Sequence, residues 1–151
     1  MATTFAPVSQ DRIAATLEAM DLKYFREDDG DTRTAFPGLV VFFEVESEGF
    51  KATSRWMATA SRPEDVETLR ELSNHLNRSM PLVRVHPVRR DDGTAIVIVE
   101  APFFSNDGFS DEQLQQMLEY FFSAIHHAAA QLREALPGLE EAFTDTPAEE
   151  A

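Results

Sequence analysis

Cysteine is absent from the 151 residues. That removes a disulfide framework, a thiolate zinc site, an iron–sulfur cluster and a cysteine nucleophile in one step, and it fits a reducing compartment. Basic charge is scarce: 13 Lys and Arg stand against 27 Asp and Glu, a formal net charge of −14. A nucleic-acid surface needs clustered Lys and Arg to displace counterions from phosphates, and anionic headgroups are repelled by the same field. Neither nucleic acid nor a membrane is therefore expected as a partner. No window approaches the ~20 apolar residues that span a bilayer. The first ten residues lack the basic stretch and apolar run of a secretion signal, so a cytoplasmic protein is expected. There is no G-x-S-x-G, S-x-x-K, HExxH or glycine-rich phosphate loop. Accordingly no catalytic residue, cofactor, cofactor-binding residue or metal ligand is assigned, and the chain is not expected to be an enzyme. Paired-carboxylate hydrolysis is the one route that linear spacing does not address, because distant acids can meet in space.

Against these absences stand an apolar fraction of 43% and twelve phenylalanines, enough to build the core of one ordinary domain. The acidity is uneven. Residues 104–151 hold ten acids against the single base Arg133, a net of −9, whereas residues 1–103 hold 17 acids and 12 bases, a net of −5. Residues 1–8 read as a short lead, 9–137 as a single domain and 138–151 as an acidic, flexible tail without apolar periodicity.

Hydrophobic periodicity orders the domain. Ser9 is placed to cap a helix over residues 10–20, whose Ile13, Leu17 and Met20 share a face. Short strands at 23–27 and 32–36 flank Asp28-Asp29-Gly30-Asp31, a hairpin signal. The strongest strand runs from Leu39 to Glu46, and another over 50–58 alternates Lys51, Thr53 and Arg55 with Phe50, Ala52, Ser54 and Trp56. Ser61 and Glu64 have capping-box spacing ahead of a helix bearing Val66, Leu69, Leu72, Leu76 and Met80, with Pro63 in its first turn and Pro81 ending it. Strands over 82–88 and 94–102 follow. The latter is apolar on both faces and so is expected to be central and covered above and below. Ser110 and Gln113 open a last helix reaching Leu136, about 40 Å long. Its stripe of Leu114, Leu118, Phe121, Ile125, Ala128, Leu132 and Ala135 has a flank of Met117, Phe122, Ala129 and Leu136 about 100° away, which asks for a second surface. The order α-β-β-β-β-α-β-β-α with hairpin connections predicts an α+β fold, an antiparallel sheet with the helices packed on it.

Two bound-ion readings fail on spacing. A calcium loop needs acids or amides at positions 1, 3 and 5, Gly at 6 and Glu at 12. Setting Gly30 sixth puts Phe25 first and Phe36 twelfth, and setting Gly108 sixth puts Phe103 first and Leu114 twelfth. His126 and His127 diverge by about 100° on a helix and cannot chelate as an i, i+4 pair does, so they and His75 and His86 read as surface or boundary residues.

Several stretches, taken in order, resemble a known family. Residues 12–20 run into Leu22-Lys23-Tyr24-Phe25, Trp56 sits in the fourth strand, and Leu72-Ser73-Asn74-His75-Leu76-Asn77-Arg78 ends the second helix. Asp91-Asp92-Gly93 makes the late hairpin, and Asp111-Glu112-Gln113-Leu114 opens the last helix. Over about residues 10–137 the chain resembles the bacterial YbjN family of sensory-transduction regulators. Leu76 departs from the Trp often found there, with a hydrophobe retained. Asn74 and Asn77 read as structural, capping the end of the second helix and anchoring the crossing to Pro81. The resemblance implies a fold like that of type III secretion chaperones and carries no catalytic motif.

Function is expected to be that of a non-catalytic, protein-binding regulatory module, with another protein or peptide segment as partner and a homodimer as the resting state. Val40 and Phe42, on the second apolar face of the 39–46 strand, and Met117 and Phe122, on the last helix's flank, are the candidate partner-binding residues. Acids around that flank would favour basic client segments, with attraction that salt weakens. Phe103, Phe104 and Phe109 either tuck under the sheet or add to this apolar surface. The alternative is a small-ligand-sensing domain or an enzyme with a pocket between sheet and last helix.

Overall fold

Alternating patterning builds one sheet, and the 3.6-residue stripes lay three helices on one of its faces. The computed structural model describes residues 4–142. Its elements are α1 (Gln10–Ala19), β1 (Phe25–Arg26), β2 (Thr32–Phe36), β3 (Leu39–Glu46), β4 (Gly49–Ala60), α2 (Pro63–Ser79), β5 (Arg84–Arg89), β6 (Ala95–Phe104) and α3 (Asp111–Ala135), the order read from the sequence. The sheet is six-stranded and antiparallel throughout, in the order β1-β2-β3-β4-β6-β5. Hairpins join β1 through β4, and α2 then carries the chain across so that β6 returns between β4 and β5.

α3 crosses β4 and β6, α2 lies over β5 and its neighbours, and α1 covers β2. Leu114, Leu118, Phe121, Ile125, Ala128 and Leu132 of α3 are buried together with Leu39, Val41 and Phe43 of β3, Phe50 and Trp56 of β4, and Val97 and Val99 of β6. Each large side chain buried this way contributes roughly 1.5–3 kcal/mol. α3 starts as its sequence indicates: the Ser110 hydroxyl accepts from the Gln113 amide, and the Gln113 side chain accepts from the Ser110 amide.

Two local expectations change. α2 is not capped by Ser61: its N-cap is Arg62, in extended conformation, and its guanidinium pairs with Asp65 at 2.9 Å in place of a capping hydroxyl. β6 is flanked by strands on both sides but covered on one face only. Val97 and Val99 lie under the helices, whereas Ile98 and Glu100 point to a face that no described helix covers.

Asn77 is structural in a way spacing does not show. Its side-chain amide donates to the Val85 carbonyl at 2.9 Å and its carbonyl accepts from the Val85 amide at 2.6 Å. It therefore tethers α2 to β5 and does not cap the helix end, which Met80 closes by donating its amide to the Leu76 carbonyl. Asn74 is exposed. Asn77→Ala should cost about 1 kcal/mol by leaving two main-chain groups of buried Val85 unmatched, while Asn74→Ala should stay within about 0.5 kcal/mol. Urea denaturation of the two variants measures both.

Both ends of the described chain are tied down. Ala6 and Phe109 exchange main-chain hydrogen bonds at 3.2 and 2.9 Å. Arg12 reaches the Pro7 and Phe109 carbonyls and the Asp111 carboxylate. At the other end, Ala142 donates to the Met57 carbonyl, and Glu141 accepts from Arg133 and from the Trp56 indole at 3.0 Å. Of the tail read at 138–151, this much is described, and residues 143–151 lie outside the described residues.

Candidate functional site

Because strand side chains alternate, every second residue of this sheet points away from the helices. Register places them in transverse rows. One row runs Phe25, Arg33, Phe42, Thr53, Glu100 and Arg84, and its neighbour runs Ala35, Val40, Arg55, Ile98 and His86. Phe42 is 40% exposed, Val88 40% and Phe104 63%, while Val40, Ile98 and Met57 are half-buried. An apolar strip thus crosses the middle of the sheet with polar groups set into it.

Those polar groups are mostly paired. Lys51 lies 3.3 Å from Glu44 and 3.7 Å from Glu100, and its hydrogen bond to Glu44, with the charge of Glu100, raises its pKa. Glu100 also meets His86 at 3.0 Å. The Arg33 guanidinium stands 4.0 Å over the Phe25 ring and 3.3 Å from Glu27. Arg55 differs. Its Nε is buried with no hydrogen-bond partner among the described residues, and burial first, then the like charge of Arg90, pushes its pKa down.

The four predicted partner-binding residues do not form one surface. Val40 and Phe42 share the helix-free face. Phe122 is 7% exposed, its ring meeting Phe36 of β2 edge-on at 5.1 Å, so the flank's second surface comes from the protein's own sheet. Met117 is half-buried at a separate shallow groove with Phe5, Phe104 and Phe109. Of the three phenylalanines before α3, Phe103 and Phe109 pack on Phe50 inside the core, and Phe104 is exposed. The layer between sheet and α3, where a ligand pocket was the alternative, is filled by Trp56, Leu118, Phe121 and Ile125, each at most 2% exposed.

Sequence reasoning overlooked Arg55, Ile98, His86 and Glu100 as members of this face. The alternation over residues 50–58 assigns Arg55 to the side opposite Trp56. What linear patterning lacks is the strand order that sets Val40 and Ile98 on either side of it. The histidines are dispersed: His75 and His127 are exposed, and His126 approaches the Phe122 carbonyl at 2.7 Å. No group of three His, Cys, Asp or Glu side chains poised for a metal occurs among the described residues. No described helix is long and apolar enough to cross a membrane.

The sequence matches the family described as "YbjN: Putative bacterial sensory transduction regulator" over residues 9–134. The chain belongs to the YbjN family. Its fold is similar to the crystal structure of YbjN from E. coli, titled a putative transcription regulator, at a TM-score of 0.75 and 15% identity, covering 92% of this chain and 100% of that one. It is also similar to an uncharacterized protein from Methanothermobacter thermautotrophicus, at a TM-score of 0.52 and 16% identity, covering 84% and 98%. At such identities the two structures speak to fold alone. No curated protein matches the sequence.

Proposed function

We propose that this protein is a non-catalytic regulatory module of the cytoplasm that acts by binding another polypeptide across the helix-free face of its sheet. The observation that carries the reading is the apolar set Val40, Phe42, Ile98 and Val88 on a sheet face that no described helix covers. Contiguous exposed apolar surface with polar groups around it marks interaction sites. The family's description as sensory transduction regulators agrees with signalling through a bound partner. A secretion-chaperone-like mode, in which a sheet carries a client segment, is consistent with the same surface. A second copy of the chain is one such partner, and a homodimer would bury Val40 and Phe42.

Phe42→Asp tests the reading directly. Phe42 is 40% exposed, so the substitution should cost about 1–2 kcal/mol and leave the protein folded. It should nonetheless cut capture of partner protein from native cytoplasm at least tenfold, or shift a dimer to the 17.0 kDa monomer in light scattering. Unchanged capture and unchanged mass, equal to those of the α2 control Arg70→Asp, would defeat it.

A further inference from the structure

Resting on that reading, we infer that the helix-free face selects an acidic polypeptide segment, whose carboxylate docks on Arg55 while its apolar neighbours cover Val40, Phe42 and Ile98. The sequence alone pointed the other way, to basic clients drawn to acids around the last helix. Phe36 covers the Phe122 part of that flank, and the helix-free face lies on the opposite side of the sheet with a cation at its middle.

Three observations carry the inference. Arg55 sits at the centre of the sheet, between Val40 of β3 and Ile98 of β6, so its stem is packed on both sides. Its Nε is withdrawn from water with no acceptor, and among the described residues no carboxylate lies within ion-pair distance of it. The charge that acts on it is that of Arg90, of like sign. A buried Nε–H without an acceptor costs stability, and a chain with 27 acids could place a carboxylate there. On the same face Lys51 and His86 both have carboxylates. Arg55 is the position left open, and a guanidinium offers a fork that a carboxylate fills with two parallel hydrogen bonds.

The occupant's chemistry follows from what surrounds the cation. A polyanion such as nucleic acid needs many phosphate contacts, and here one arginine backed by Arg90 stands within a chain of net charge −14. A peptide carboxylate needs one such contact, and the flanking valine, phenylalanine and isoleucine match the side chains beside it. Long-range repulsion from the protein's other acids is screened beyond about 8 Å at physiological ionic strength, whereas a desolvated contact is screened far less.

Fluorescence anisotropy with labelled ten-residue peptides tests this at 0.15 M salt. One probe alternates Glu with Phe and Leu, and its twin carries Gln in place of Glu. The full-length protein should bind the Glu peptide at least tenfold more tightly than the Gln peptide. Arg55→Gln should erase that ratio by weakening the Glu peptide alone, and should raise the melting temperature by a few degrees as the uncompensated cation is removed. Equal affinities for the two peptides, a ratio that survives Arg55→Gln, or a lowered melting temperature would each overturn the inference. So would displacement of the Glu peptide by 10 mM inorganic phosphate, which would assign the position to a free anion, or a dimer dispersed by Arg55→Gln, which would assign the face to a second copy. If both peptides bind equally and both are lost in Phe42→Asp, charge selection fails and the binding face stands. If neither responds to Phe42→Asp, the face itself fails.

Discussion

Trp56→Ala should destabilise the protein by about 3–5 kcal/mol, the range for emptying a buried aromatic site. Trp56 is 2% exposed in the centre of the core, and its indole N–H also donates to Glu141 at 3.0 Å. The two roles can be separated. Trp56→Phe keeps much of the ring volume but removes the donor, so it should cost far less, about 1–2 kcal/mol. A cycle with Glu141→Gln should show coupling, because the Glu141 carboxylate joins Trp56 to Arg133, which in turn donates to the Pro37 carbonyl at 3.0 Å. Arg133's hydrogen bond holds the Glu141 carboxyl below its ordinary value of 4.5 and outweighs the opposing effect of burial. A carboxylate with a depressed folded-state pKa contributes fully above the unfolded value and loses that contribution as pH falls through the folded one. Acid titration followed by circular dichroism should therefore show the wild type losing stability relative to Glu141→Gln below about pH 4.5. Parallel acid curves would dissociate this contact from stability.

Gly108→Ala should cost about 2–3 kcal/mol, and the comparison with Gly30→Ala shows why. Both glycines have positive φ, +82° and +94°. A Cβ at Gly30 meets nothing within 4 Å, so Gly30→Ala carries only the backbone penalty, about 1 kcal/mol. A Cβ at Gly108 would lie 2.2 Å from the Ala6 carbonyl oxygen, in the bridge that Ala6 makes with Phe109. Main chain on both sides leaves no side chain to swing away. Gly108→Ala must therefore part the N-terminal segment from the entry to α3, and limited proteolysis near Ala6 should accelerate together with the loss in urea stability. Equal costs for the two variants would assign the whole effect to φ and none to the close approach.

How far the sequence could be read depended on whether a feature was local. The turn residues Asp28 to Gly30, the alternation around Trp56 and the capping box at Ser110 and Gln113 all act within a few positions, and each produces the element it signals. Strand order is different, because β6 reaches β4 only after α2 and β5 have intervened, and no neighbouring residue records that. The same distance explains Phe122. Its flank position on α3 is covered by Phe36, far earlier in the chain. α2 begins one residue later than the Ser61 spacing indicates, with Arg62 at the N-cap position making no side-chain cap and donating instead to Asp65. For the candidate site, Val40 and Phe42 were legible from the two-faced apolarity of their strand. The cation beside them was not, since the lack of a counterion among the described residues is a property of three strands together.

The tether between Asn77 and Val85 has a consequence for how this sheet meets other chains. Both main-chain groups of Val85 turn away from β6 and are held by Asn77, and two residues on, Pro87 brings no N–H at all. β5 therefore offers an incoming strand little to zip onto, which guards the protein against stacking copies of itself into fibrils as its concentration rises. It also frees any partner from having to be extended. A helix, a loop or a strand can lie across the face equally well, provided that its side chains arrive at the right spacing.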